Sequence, residues 1–245
     1  MRFWLVMACI GSLALGCTNS RKPNAPKAVK GFLNLQNWNF EKDGMVPLNG
    51  EWAFYWNQFL HPDSIHQQIS SPNPTYFSFP GSWNDLQMNG QKLGAEGFAT
   101  FVLHVKIPED ESLMGLKSRS VNTAWNVWVN GRELGGAGKV GKSQNGMVPA
   151  TLPRTIPFQH DTSELTIVVQ VSNFYHRKGG FWWPLHLGHY DQIQKARESG
   201  LAIDLFLLGA LLIMGFYHLG LFMLRPKDSS PLFFGIFCLL VGSRM

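Results

Sequence analysis

Residues 201–224 (LAIDLFLLGALLIMGFYHLGLFML) are apolar apart from Asp204 and His218. At about 1.5 Å per residue a helix of this run reaches about 36 Å, enough to cross a hydrocarbon core of about 30 Å. The run therefore predicts a transmembrane helix over 201–224, and it divides the chain. A charge near the bilayer centre costs a few kcal/mol, so polar groups in such a helix face a partner or escape to water. Asp204 stands near the outer end and reads as reaching the interface, and His218 near the inner end can do so as a neutral ring. Arg225 to Pro231 reads as a cytoplasmic loop over 225–231. Leu232 to Gly242 is a second apolar run of 11 residues, about 16 Å as a helix and too short to cross. It is expected to be the start of a second transmembrane helix over 232–245, truncated, in a chain that is a fragment.

The other end has the three parts of an export signal. Arg2 supplies the positive start and Phe3 to Leu15 the apolar run. Ala14-Leu15-Gly16-Cys17 is similar to a lipobox, with Ala14 where Leu is usual. The expectation is a signal peptide over 1–17, lipidated at Cys17; the alternative is an ordinary signal peptide with an incidental cysteine. Residues 18–30 (TNSRKPNAPKAVK) are polar and basic and read as a tether. The remaining cysteines are Cys9 and Cys238, so residues 18–237 hold none. A disulfide, a cysteine-bound metal and a thiol nucleophile are thereby excluded for the domain between.

That domain spans 31–192, followed by a linker over 193–200. Its signature is alternation. Phe101, Leu103, Val105 and Ile107 share one parity, as do Leu165, Ile167, Val169 and Val171, and Trp52, Phe54 and Trp56. Residues two apart line one face of a strand, so each run is expected to bury one face and wet the other. Asn49-Gly50, Pro80-Gly81, Asn89-Gly90, Asn130-Gly131, Gly135-Gly136 and Asn145-Gly146 supply turns between the runs. The fold expected is all-β, an antiparallel sandwich. Net charge is +5, yet residues 31–192 hold 11 Lys and Arg against 13 Asp and Glu, so the excess lies in the flanks. A nucleic-acid binder gathers its basic residues on the folded domain; this distribution argues against nucleic acid as a partner.

One segment gathers groups suited to a ligand. Asn173, His176 and Arg177 offer donors and acceptors, and Trp182 and Trp183 offer flat apolar faces, within eleven residues. Saccharides are held by this combination, a ring under the C–H face and planar polar groups on the hydroxyls. The alternative is a Gly-Gly corner whose aromatics cap the sandwich or lie at a lipid surface. Trp128, on the parity opposite Trp125, Val127 and Val129, is a further candidate contact; Trp52 and Trp83 read as core. No nucleophile elbow, P-loop or zinc-protease motif occurs, and the one dense acidic cluster, Glu109-Asp110-Glu111, reads as a solvated turn. His186 and His189 lack a third ligand. The expectation is a chain that is no enzyme, with no metal and no cofactor.

Several segments in order resemble one family. They are Leu48 to Trp56 (LNGEWAFYW), Phe79 to Asn84 (FPGSWN), Gly97 to Phe101 (GFATF), Val127 to Gly131 (VWVNG), and Val171 to Gly180 (VSNFYHRKGG) with Trp183-Pro184 and Leu187-Gly188. Together with the start of a helical region, the series resembles the extracellular domain of bacterial seven-transmembrane receptors with diverse intracellular signalling modules. The resemblance implies a galactose-binding-like jelly roll, related to the sugar-binding domain at the front of β-galactosidases and β-glucuronidases, and a cytoplasmic kinase or cyclase beyond residue 245. The function expected is extracytoplasmic ligand sensing by a membrane receptor. Its partners would be a small-molecule or carbohydrate ligand, membrane lipid and, in a dimeric receptor, a second copy of the chain. A surface glycan-binding or accessory lipoprotein is the alternative, and a glycosidase relative the third reading.

Overall fold

The two longest alternating runs pair with each other. β8 (Gly97–Lys106) and β13 (Glu164–Asn173) lie antiparallel along their whole length, from Gly97 opposite Asn173 to Lys106 opposite Glu164. The computed structural model describes residues 25–61, 74–88, 90–109 and 112–244; the expected signal peptide, Cys17 and the tether as far as residue 24 lie outside them. Around β8 and β13 a seven-stranded sheet forms with β1 (Phe32–Asn34), β3 (Gly50–Trp56), β4 (Thr75–Phe79), β10 (Ala124–Val129) and β11 (Arg132–Ala137). All its pairings are antiparallel except β1 with β8. A four-stranded sheet contains β2 (Val46–Pro47), β9 (Met114–Ser118), β12 (Arg154–Phe158) and β15 (His186–His189). Two short pairs, β5 (Gly81–Ser82) with β14 (Gly180–Phe181) and β6 (Gln87–Met88) with β7 (Gln91–Lys92), complete the strands.

The sheets share one core, as the alternation requires. Phe101, Leu103, Val105, Ile167, Val169 and Val171 from the larger sheet meet Leu116, Phe158 and Leu187 from the smaller. Trp52 stacks on Phe79 with ring centroids 4.1 Å apart, Phe79 on Phe181 at 5.2 Å, and Trp125 meets Phe181 edge-on at 5.4 Å. Asn130 and Gly131 take positive φ of 48° and 82°, the left-handed pair that a tight hairpin between β10 and β11 requires.

The outer face departs from the expectation that each run wets its second side. Val102, Val168 and Trp128 point away from the shared core yet are buried, together with Ala53 and Leu60. The segment after β3 folds over them. Thr100 donates its hydroxyl to the Gln58 carbonyl (2.7 Å) and accepts from the Leu60 amide (3.1 Å), and the Gln170 amide donates to the Leu60 carbonyl (3.1 Å). Polar outer-face residues thus satisfy the backbone that covers their apolar neighbours.

Three α-helices lie among the described residues. α1 (Phe40–Asp43) is one turn, capped by the Asn39 side chain. α2 runs unbroken over Tyr190–Leu224, 35 residues, and is long and apolar enough to span a membrane. It starts before residue 201, so residues 193–200, expected as a linker, are its first turns. Gln192, Gln194, Lys195, Ala196, Arg197 and Glu198 are sound helix formers, and they lack the apolar period that would announce a helix. α3 (Ser230–Gly242) opens with Pro231 in its first turn and packs on α2 through Gly215 and Gly235.

Candidate functional site

The register sets the two ends of the domain apart. Lys106 and Glu164 end their strands on the side where Leu113 and His189 lie, and there α2 begins, its Tyr190 amide donating to the Leu113 carbonyl at 2.8 Å. Gly97 and Asn173 end theirs on the opposite side, which carries the loop between β13 and β14.

Two asparagines build that loop. Asn173 is fully buried; its Nδ2 donates to the carbonyls of Ala95 (2.8 Å) and His176 (2.7 Å), and its Oδ1 accepts from the His176 amide (3.0 Å). Asn84, on the facing segment, accepts from the Gly179 amide (2.8 Å) and donates to the Arg177 carbonyl (2.9 Å). Gly179 lies against the Trp83 indole so closely that a Cβ there would stand 2.1 Å from Nε1. Asn173 therefore shapes the loop from beneath. Asn173→Ala is expected to remove about 2–3 kcal/mol of stability, because it leaves buried backbone groups unpaired. Urea unfolding of the detergent-solubilised chain measures it, and a loss under about 0.5 kcal/mol would show that the loop holds without this side chain.

Two cation–aromatic groups follow from this frame, one at each of the adjacent tryptophans. The His176 ring lies 4.7 Å from the half-buried Trp182 ring, and the Lys178 ammonium 5.6 Å from the same ring. Trp182 donates its indole N–H to the Gly179 carbonyl (3.3 Å). Trp183 is 42% exposed, with the Arg119 guanidinium 4.7 Å over its ring. Arg177 is exposed, and the exposed Tyr175 donates its hydroxyl to the Gln144 carbonyl (3.1 Å). Of the residues singled out by sequence, His176 and Trp182 meet above Asn173, Arg177 is exposed beside them in the chain, and Trp183 meets Arg119 instead. Trp128 lies elsewhere, 8% exposed on the outer face of the larger sheet, against Val168. Arg119 and Lys178 join the site unannounced. Lys178 belongs to the segment and could have been named from it. Arg119 follows β9, and no spacing in the sequence connects it with Trp183.

At the other end a cavity of about 470 Å³ opens beside the start of α2, between Trp38, Asn39, Glu41, Glu109 and His189. Among the described residues no group of three His, Cys, Asp or Glu side chains is arranged to hold a metal ion.

No protein-family model matches the chain, and no curated protein matches it. Solved structures do. They include a β-glucuronidase from Ruminococcus gnavus in complex with uronic isofagomine, at 14% identity over 59% of this chain and 28% of that one, with a TM-score of 0.43. The Faecalibacterium prausnitzii β-glucuronidase matches at 13% identity over 58% of this chain and 31% of its own, with a TM-score of 0.44. An uncultured Clostridium β-glucuronidase matches at 16% identity over 58% and 28%, also at 0.44. The chain thus spans less than a third of the length of each. The expectation that the chain is no enzyme is corrected by this finding, since these neighbours are enzymes. Glycosidase carboxylates converge through folding rather than at a fixed spacing, so the lack of a motif did not support that expectation.

Proposed function

We propose that the chain is the ligand-sensing domain and membrane anchor of a bacterial transmembrane receptor of the seven-transmembrane type. In this reading its two sheets form a galactose-binding-like jelly roll on the extracytoplasmic side, and the loop over 173–183 receives a carbohydrate. One observation carries it: a single short strand, β15, joined to the loop through Pro184-Leu185, runs directly into the membrane-length helix α2. A ligand on the loop then has a short covalent path to the bilayer. Trp183 supports the ligand class, being a large apolar ring left partly open among polar groups. The export signal expected over 1–17 supports the orientation, because it would carry the residues after it out of the cytoplasm.

One stacked ring and a few hydrogen bonds at an open site contribute about 1 kcal/mol each, so affinities of about 10⁻⁵ to 10⁻³ M are expected. A saturation-transfer NMR screen of saccharides against the detergent-solubilised chain should yield a hit in that range. Trp183→Ala should erase the hit and leave the melting temperature within about 2 °C, as for a surface substitution. A broad screen without a hit, or a hit indifferent to Trp183→Ala, would sink the reading.

A further inference from the structure

We propose that the saccharide is acidic, a sugar carrying a carboxylate such as a uronic acid residue, and that Arg119 and Lys178 select it beside Trp183 and Trp182. The inference rests on the loop being a saccharide site and adds the charge of what it takes.

Charge at this end runs against that of the domain. Residues 31–192 carry more acidic than basic side chains, 13 against 11, yet Arg119 lies over Trp183 and Lys178 over Trp182, with Arg177 next to Lys178 in the chain. All three are exposed, and among the described residues no carboxylate lies within ion-pair distance of any of them. Arg154, whose Cα stands opposite Ser118, adds a fourth cation on the Arg119 side. Of the acids nearby in the chain, Asp85 is engaged by Lys92 at 3.3 Å, while Glu96, next to Ala95, is exposed and makes no ion pair with the three cations.

The two cation–ring contacts give the charges a direction. Resting on Trp183 holds the Arg119 guanidinium in place, while its N–H edge has no hydrogen-bond acceptor among the described residues. That edge is a planar fork of donors, matched to the two oxygens of a carboxylate. In a uronic acid the carboxylate projects from the ring edge while the C–H face stays apolar. One such sugar can therefore rest its face on an indole and turn its carboxylate to the fork beside it. A neutral sugar would use the indole and leave the cations to water. Lys178 offers a second charge over Trp182, and unlike Arg119 it acts as a point charge without preferred geometry.

The test compares saccharides matched in linkage and differing in oxidation at C6: galacturonate against galactose trimers, and glucuronate- against glucose-containing trimers. Each is titrated by NMR into the full chain in neutral detergent. At low salt the acidic member of at least one pair should bind about tenfold tighter, the sum of two exposed charge contacts, and about 0.5 M salt should erase most of that advantage. Arg119→Gln should bring the acidic trimer down to the level of its neutral counterpart with the melting temperature as it was; Lys178→Gln should do so in part. Equal affinities within every pair overturn the acidic selection and leave the saccharide reading standing. An acidic preference that survives both substitutions overturns the assignment to Arg119 and Lys178. No binding by any member, with a blank saccharide screen, overturns both inference and reading.

Discussion

Replacing Trp83 by alanine is expected to cost about 3–5 kcal/mol of stability, the range for a fully buried aromatic whose site cannot collapse. Trp83 has no exposed surface. Its ring meets Trp56 edge-on at 5.1 Å and lies near-parallel to Phe101 at 6.4 Å, so its loss strips contacts from both strands of the β3–β8 pair. Its indole N–H donates to the Ala95 carbonyl (3.2 Å), the same oxygen that Asn173 uses, and Gly179 sits on its ring edge. The cavity would therefore open beneath the loop over 173–183, and the loop would lose its floor. Trp83→Phe keeps most of the ring and gives up the indole donor; about 1–2 kcal/mol is expected for that loss. Urea unfolding followed by circular dichroism compares the two. A loss under about 1 kcal/mol for Trp83→Ala would show that this end closes around the gap and that Trp83 is not its keystone.

The inward faces were legible because nothing long-range was needed to read them. Phe101, Leu103 and Val105 repeat every second residue, and a strand with that pattern has one face to bury. The outer face was not legible. Val102, Val168 and Trp128 have the parity of solvent-facing residues, and only the segment carrying Leu60 changes their surroundings. Its tie to Thr100 spans 40 positions and its tie to Gln170 spans 110. Side-chain type misled in another way at Asn173. An amide amid aromatics suits a sugar hydroxyl, yet the same donor and acceptors serve peptide groups equally well, and here the loop backbone takes them all. Arg119 is the converse: it has no local signal and reaches Trp183 only through the packing of the smaller sheet against the loop. Thus the segment of the candidate site could be named from sequence, while the division into residues that build it and residues that face outward needed the fold.

The junction of domain and helix sets the last expectation: Ile193→Ala should loosen the first turns of α2 from the sheets by about 2–4 kcal/mol. Ile193 is fully buried in a helix whose next turns are exposed. It fits against the backbone of β9 at Gly115, where a Cβ would meet Ile193 Cδ1 at 3.1 Å and Tyr190 Cδ2 at 3.3 Å. Two hydrogen bonds flank it, from the Tyr190 amide to the Leu113 carbonyl (2.8 Å) and from Gln192 Nε2 to the Phe40 carbonyl (2.7 Å). All the anchoring thus lies within one turn, and the loss of its apolar centre leaves two hydrogen bonds worth about 1 kcal/mol each against the entropy of a free helix end. Hydrogen exchange at the amides of residues 194–198 should then accelerate about a hundredfold, while the amides of β8 and β13 keep their protection. Ile193→Val, which keeps most of the volume, should change exchange only a few-fold. Unchanged exchange in Ile193→Ala would mean that β15 and its ladder hold the helix alone.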